Sequence, residues 1–340
     1  MFHRRLFQPT LAAAAVLAAS AALGLTAGAS QAAARPQAVS PSGFTLHTEP
    51  DAGFSWLYKQ IGAASSSIDM TMYELSDTTA EDDLAAAQAR GVRVRVILDG
   101  RQERTNEAAY DYLTEHGVGV VWSWDQYYFT HEKSIVLDGS TADVMTLNLT
   151  SQYYSTSRDF AVVDTSPGDV SAIAKVFDAD YAHDSVTPGG GDDLTWSPTT
   201  SQADLLGLVN GAQHSLQVFS EEMDDSAVVD ALCQASDGGV DVQVVGENED
   251  GHYDRQYDQL ANCGVHISTY SSTTGFYIHG KAILADYAEP SARIFIGSQN
   301  FSRTSLTENR ELGLIINDPA IESSVNATFE SDFAGGTAWS

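Results

Sequence analysis

The sequence predicts an α/β protein built from two tandem copies of one unit, each an α-β-α sandwich with a mixed sheet. Three observations predict it. An internal repeat holds its register over a long distance, strands and helices alternate within each copy, and 43% hydrophobic with 9% aromatic residues suits a folded chain. The 340 residues suffice for two ordinary domains or one large one, either of which buries a full core.

The repeat is direct. Ser67–Asp77 (SIDMTMYELSD) aligns with Ser215–Asp225 (SLQVFSEEMDD) at an offset of 148, and the same offset carries Gly91–Val96 onto Gly239–Val244. One residue slips, so that Tyr110–Leu113 lands on Tyr257–Leu260, and the register of 148 returns at His131 and His279. In the first copy the alternation of Ile68, Met70 and Met72 predicts a strand. The Ala/Leu-rich stretch Asp82 to Arg90 predicts a helix that Gly91 terminates. Val92 to Leu98 is rich in β-branched residues and reads as a strand. A second helix, from about Asn106 to Glu115, ends at Gly117, and Val118 to Trp122 forms the next strand. Residues 184–200, with Pro188 and Gly189 to Gly191, have the composition of a linker. The copies then span residues 43–183 and 201–333 and are expected to pack tightly.

Residues 1–34 stand apart from the fold. A basic head (His3-Arg4-Arg5), an apolar run from Thr10 to Ala29 and small-residue Ala-x-Ala patterns are expected of a cleaved secretory signal, with an uncleaved anchor as the alternative. No later segment approaches the roughly 18 apolar residues of a transmembrane helix. A secreted protein, monomeric and without a membrane span in its mature form, is therefore expected. The net charge is −29, and loss of Arg4 and Arg5 with the signal would take it to −31. Such a charge opposes casual binding to nucleic acid or to strongly anionic membranes, although a local basic pocket remains compatible with it. Cys233 and Cys263 are expected to pair in an exported chain, the alternative being two buried thiols.

The chemistry lies in a second level of repetition. Both copies contain His-x-Lys-x4-Asp, as His131, Lys133 and Asp138 and as His279, Lys281 and Asp286. Thr146-Leu147-Asn148 follows the first and Ser298-Gln299-Asn300 the second. Thirteen residues after Thr146 and Ser298 come Asp159 and Glu311. On a strand, His and Lys two apart share a face. Lysine is a cation and not a usual metal ligand, so the pair suits an anion, with Asn and Ser or Thr as donors. A phosphoryl group, whose charge spreads over its outer oxygens, is the anion implied. Thr146 and Ser298 are accordingly expected to touch substrate. An acid on the far ring nitrogen would fix each imidazole's tautomer. The set calls for no metal and no cofactor, and two histidines suit a two-step mechanism.

These paired motifs resemble the phospholipase D superfamily, whose members show His-x-Lys-x4-Asp followed by Gly-Ser-x-Asn. The resemblance covers the chain from about Gly43 to Phe333. It implies a tandem-duplicated fold, with two sandwich halves packed as a pseudo-dimer, and a phosphohistidine mechanism without metal. By that analogy His131 is the nucleophile and His279 the general acid and base. Lys133, Lys281, Asn148 and Asn300 hold the phosphoryl oxygens, while Asp159 and Glu311 orient the histidines. Asp138 and Asp286 support the structure through buried hydrogen bonds. The first copy departs from the pattern, with Met145-Thr146 in place of Gly-Ser and Asp159 in place of Glu, which leaves open a weakened first half-site.

The expected function is a secreted phospholipase D, releasing phosphatidic acid and a free headgroup from a phospholipid at a membrane or micelle surface, with transfer to other alcohols within its chemistry. A nuclease of the same superfamily and a non-catalytic binding protein are the alternatives. Net charge and export favour lipid over nucleic acid. A cardiolipin-synthase-like role fits less well, because that branch usually carries membrane spans. Trp122, Trp124, Tyr127, Tyr128 and Phe129 before the first histidine, and Phe276 and Tyr277 before the second, either form an apolar mouth or pack as strand residues. His47, His116, His183, His214, His252 and His266 are expected at the surface or at caps, and Glu247 to Asp250 as a solvated acidic loop rather than a calcium site.

Overall fold

The computed structural model describes residues 38–39, 43–189 and 191–340. The expected secretory signal over residues 1–34 lies outside them. The first copy runs β1 (Ala38–Val39), β2 (Phe44–Glu49), α1 (Ser55–Ala63), β3 (Ser67–Met72), α2 (Thr78–Ala89), β4 (Arg93–Leu98), α3 (Glu103–Glu115), β5 (Gly119–Trp122), β6 (Ser134–Leu137), β7 (Thr141–Met145), β8 (Ser157–Asp164) and α4 (Pro167–Ala182). The second runs β9 (Leu194–Ser197), α5 (Ser201–Gly211), β10 (Ser215–Ser220), α6 (Ser226–Asp237), β11 (Asp241–Glu247), α7 (Asp254–Asn262), β12 (His266–Tyr270), β13 (Tyr277–Ile278), β14 (Ala282–Ala285), β15 (Arg293–Gly297), α8 (Arg303–Thr307), β16 (Glu311–Ile316), α9 (Pro319–Gly335) and β17 (Thr337–Ala338).

Both copies build the same mixed sheet. The order β2-β8-β7-β6-β3-β4-β5 in one corresponds to β9-β16-β15-β14-β10-β11-β12 in the other. In each, three strands are parallel (β3-β4-β5 and β10-β11-β12) and the rest antiparallel. The predicted helix at Asp82 begins four residues earlier, because Asp77 caps it by accepting from the Thr79 and Ala80 amides. The alternation in β3 does not separate a dry face from a wet one, since Asp69 and Thr71 are buried as well. Helices cover both faces of this sheet, and Asp69 is accommodated by an ion pair to Arg95 at 2.7 Å. The segment expected to be a linker is only partly one. Leu194–Ser197 pairs antiparallel with β16 and completes the second sheet.

Three cores result. One lies between the first sheet and α1, α2 and α3, and one between the second sheet and α5, α6 and α7. The third is shared: Phe160 of β8 meets Phe219 of β10 edge-on at 5.2 Å, and Phe219 meets Phe329 of α9 at the same distance. Truncating a buried Phe costs about 3–5 kcal/mol, so this shared core binds the halves firmly. Cys233 and Cys263 form a disulfide that ties α6 to the residue that ends α7. Closing a loop of this length stabilises by about 3–4 kcal/mol in the chain-entropy description. Among the described residues no helix is long and apolar enough to cross a membrane.

Candidate active site

The segment before each histidine crosses to the other copy. β13 pairs in parallel with the start of β8 (Tyr277 with Ser157, Ile278 with Arg158), and a matching parallel bridge joins Thr130 to Arg310. The His131 amide donates to the Arg310 carbonyl at 2.9 Å, and the His279 amide to the Arg158 carbonyl at 3.2 Å. Each histidine thus lies beside the acid of the opposite copy. His131 Nδ1 is 2.9 Å from Glu311 Oε2, and His279 Nδ1 is 2.7 Å from Asp159 Oδ1. The acid that follows each histidine in its own copy does not serve it.

An ionised carboxylate only accepts, so each Nδ1 carries a proton and each Nε2 is left for chemistry. Burial opposes ionisation of Asp159, but His279, Lys281 and the Thr146 hydrogen bond outweigh it and hold the carboxyl below its usual range. Burial likewise opposes ionisation of Glu311, and His131 and Lys133 outweigh it. For His131, burial lowers the pKa to about 4 even though Glu311 pulls the other way, so the ring is neutral near pH 7. Lys133 and Lys281 are fully buried. Burial lowers Lys133 to about 7 against the pull of Glu311, and Lys281 depresses it further. Lys281 also acts on His131, so the two half-sites share one electrostatic field.

The supporting residues fall into place around these groups. Thr146 donates to Asp159 at 2.7 Å, and Ser157 does so at 2.9 Å. Glu311 accepts from Ser305 at 2.6 Å and from Asn309 at 3.0 Å. Thr146 and Ser298 were expected to touch substrate, but both are fully buried. The Thr146 hydroxyl is engaged by Asp159 and the Phe160 amide, and the Ser298 hydroxyl by the backbone of Leu312. They brace the strands that carry the acids. Asn148 and Asn300 behave differently, each keeping a buried side-chain oxygen without a hydrogen-bond partner. Asn148 lines the cavity of His279 and Asn300 that of His131, a second exchange between copies.

Asp138 and Asp286 hold the fold, as expected, though only Asp286 does so in a buried setting. Asp138, half-exposed, accepts from the amides of Ser65, Ser66 and Ser67, and Asp286 from those of Gln213, His214 and Ser215. These bonds hold both carboxyls below their usual range despite some desolvation. They pin the end of β6 to the start of β3, and the end of β14 to the start of β10.

Other expectations divide. Tyr128 and Phe129 line one cavity and Phe276 and Tyr277 the other, whereas Tyr127 packs on Arg310 and Trp122 stacks on Tyr110. His47 is not at the surface: it is buried and stacked on Trp56 at 3.9 Å, because β2 lies within the sheet. Glu247 is not a solvated acid either. It is buried and accepts from the Ser272 and Ile278 amides, steadying the segment that leads to His279.

Two groups escaped the sequence reading. Glu221 lies with Oε2 2.5 Å from Lys281 Nζ and 3.7 Å from His279 Nε2. Tyr73, at the same place in the first copy, presents its ring to Lys133 at 4.9 Å. Both stand just beyond the carboxyl end of a parallel strand, where α/β sheets place their ligands, and that position was the available signal.

A family model described as "Cardiolipin synthase, PLD-like domain" matches residues 57–181 and again 205–333. No curated protein sequence matches the chain. Among solved structures, polyphosphate kinase from Porphyromonas gingivalis is similar with a TM-score of 0.68 at 16% identity, covering 84% of this chain. This chain spans only 46% of that kinase. Phosphatidylserine synthase from Haemophilus influenzae Rd KW20 is similar with a TM-score of 0.66 at 12% identity, covering 87% of each chain. A phospholipase D family member, Nuc from Salmonella typhimurium, is 21% identical over 43% of this chain and 98% of its own, with a TM-score of 0.39.

Proposed function

Because the chain belongs to the phospholipase D superfamily, we propose that it is an exported phospholipase D acting on a phospholipid phosphodiester. The observation that carries this reading is the pair of crossed histidine–carboxylate dyads, each with a buried lysine, in one field. In the proposed reaction His131 Nε2 attacks phosphorus while His279 gives its Nε2 proton to the departing headgroup oxygen. A P–N bond forms and a P–O bond breaks. His279 then takes a proton from water as the water oxygen attacks phosphorus, the P–N bond breaks, and phosphatidic acid is released. An alcohol in place of water gives transfer to a new headgroup.

Lipid is favoured over nucleic acid by the acidic charge of the chain and by its rim. Among the described residues the exposed large hydrophobic side chains are Tyr128 and Tyr153, and both line the cavities of the site. Amphipathic aromatics of this kind suit a lipid–water boundary. The test is incubation of the protein, without residues 1–34, with phospholipid vesicles and, in parallel, with single- and double-stranded DNA. Headgroup release with intact DNA is expected. Cleaved DNA with intact lipid would replace this reading with a nuclease.

A further inference from the structure

The two copies stop matching at the cavity of His279. At the offset of 148, Glu221 occupies the place of Tyr73. Among the described residues Lys133 has no carboxylate within ion-pairing distance, whereas Lys281 has Glu221 at 2.5 Å. The other Glu221 oxygen accepts from the Tyr277 hydroxyl at 2.5 Å, so the carboxylate is held from two sides. Burial opposes its ionisation, but Lys281 and His279 outweigh that and keep it an anion.

The cavity is about 690 Å³, and among the described residues its lining contains no lysine or arginine. Its walls carry five carboxylates, with Glu49, Glu74 and Glu249 beside Glu221 and Asp159, together with five aromatic rings. The Arg158 guanidinium lies over Phe276 at 5.4 Å but is itself paired with Asp332 and Asp51. Burial raises Glu49 and Glu74, so the charge rests chiefly on Glu221 and Asp159, which are held low. These carboxylates repel a second negative charge beside the reacting phosphate and attract a positive one. Aromatic faces act in the same sense through their quadrupoles.

His279 opens onto this cavity, so the departing group is what enters it. We propose that Glu221 is a specificity-determining residue, selecting phosphodiesters whose leaving group bears an ammonium and rejecting anionic ones. This rests on the phospholipid reading above, and on His279 as the acid that serves the leaving group. The ammonium would sit between the carboxylates and the rings of Tyr154, Phe276 and Tyr277, drawing Glu221 away from Lys281 as the phosphate takes its place.

The experiment compares wild type with Glu221→Gln in two assays. One measures choline against glycerol release from vesicles of mixed phosphatidylcholine and phosphatidylglycerol. The other measures binding of choline chloride alone by calorimetry. Wild type is expected to favour choline release by on the order of tenfold, the equivalent of one well-placed cation contact. In Glu221→Gln that ratio should fall toward one, with choline binding weakened by a similar factor. A slower variant with an unchanged ratio would reduce Glu221 to a support for Lys281 and overturn the proposal. Equal cleavage of both lipids by wild type would overturn it while leaving the phospholipid reading intact. Choline bound by wild type and not by the variant, with neither lipid cleaved, would keep the selector and overturn that reading.

Discussion

Asp143 on β7 has no solvent contact, and burial pushes its carboxyl up to about 8, while the Gln60 amide lies 2.9 and 3.1 Å from its two oxygens. The unfolded value is about 3.9, so the folded value is the higher one. Its contribution to stability is therefore fully present below about pH 4 and is lost as pH rises toward about 8, at about 1.4 kcal/mol per unit. Asp143→Asn keeps the shape and removes the ionisation. The variant should melt above wild type at pH 8, with a much smaller gap at pH 5 in calorimetry; an equal gap at both values would contradict this. Asp159 and Glu311, held low by their histidines, carry the opposite sign. The residues gathered at the candidate site were legible at this scale because His-x-Lys-x4-Asp occurs twice, and each copy has an Asn two residues and an acid thirteen residues after its Thr146 or Ser298. The inward turn of Thr146 and Ser298 was not, because a motif gives residue type and not side-chain direction. Glu221 was hidden because its repeat partner, Tyr73, has a different chemistry.

At the scale of elements, the crossing of the copies is secured by two buried clamps. Arg158, at the start of β8, grips Asp332 on α9 at 2.7 and 3.0 Å. Arg310, just before β16, grips Asp180 on α4 at 2.8 and 3.1 Å. Each arginine immediately precedes the acid that orients a histidine, so the clamps set where the acids sit. Removing one partner leaves a buried charge. Arg310→Met should cost about 3–5 kcal/mol in urea unfolding and slow turnover, while Arg310→Met with Asp180→Leu should regain most of the stability. A double variant as unstable as the single would show that the ion pair is not what holds α4. Strands and helices were legible from period and caps, since both are local. The exchange was not, because it depends on a two-residue strand, β13, that no periodicity marks. The strand β9 was obscured in the same way by the Gly- and Pro-rich sequence just before it.

At the scale of the molecule, the shared aromatic core and the exchanged acids join the two copies at the candidate site. The duplication, the α/β class and the mixed sheets were all legible, because a repeat held over nearly the whole chain leaves few ways to bury its apolar strands. That the copies meet through one core followed only from the coordinates. The claim that depends most on this arrangement is that neither histidine works alone. The most direct measurement is choline release from phosphatidylcholine vesicles in EDTA by wild type, His131→Ala, His279→Ala and the double variant. Groups that act as a unit are non-additive, so each single change should lower turnover by at least about a thousandfold and the double change no further. Either single variant retaining about half of the wild-type rate would mean two independent sites, and would contradict the account.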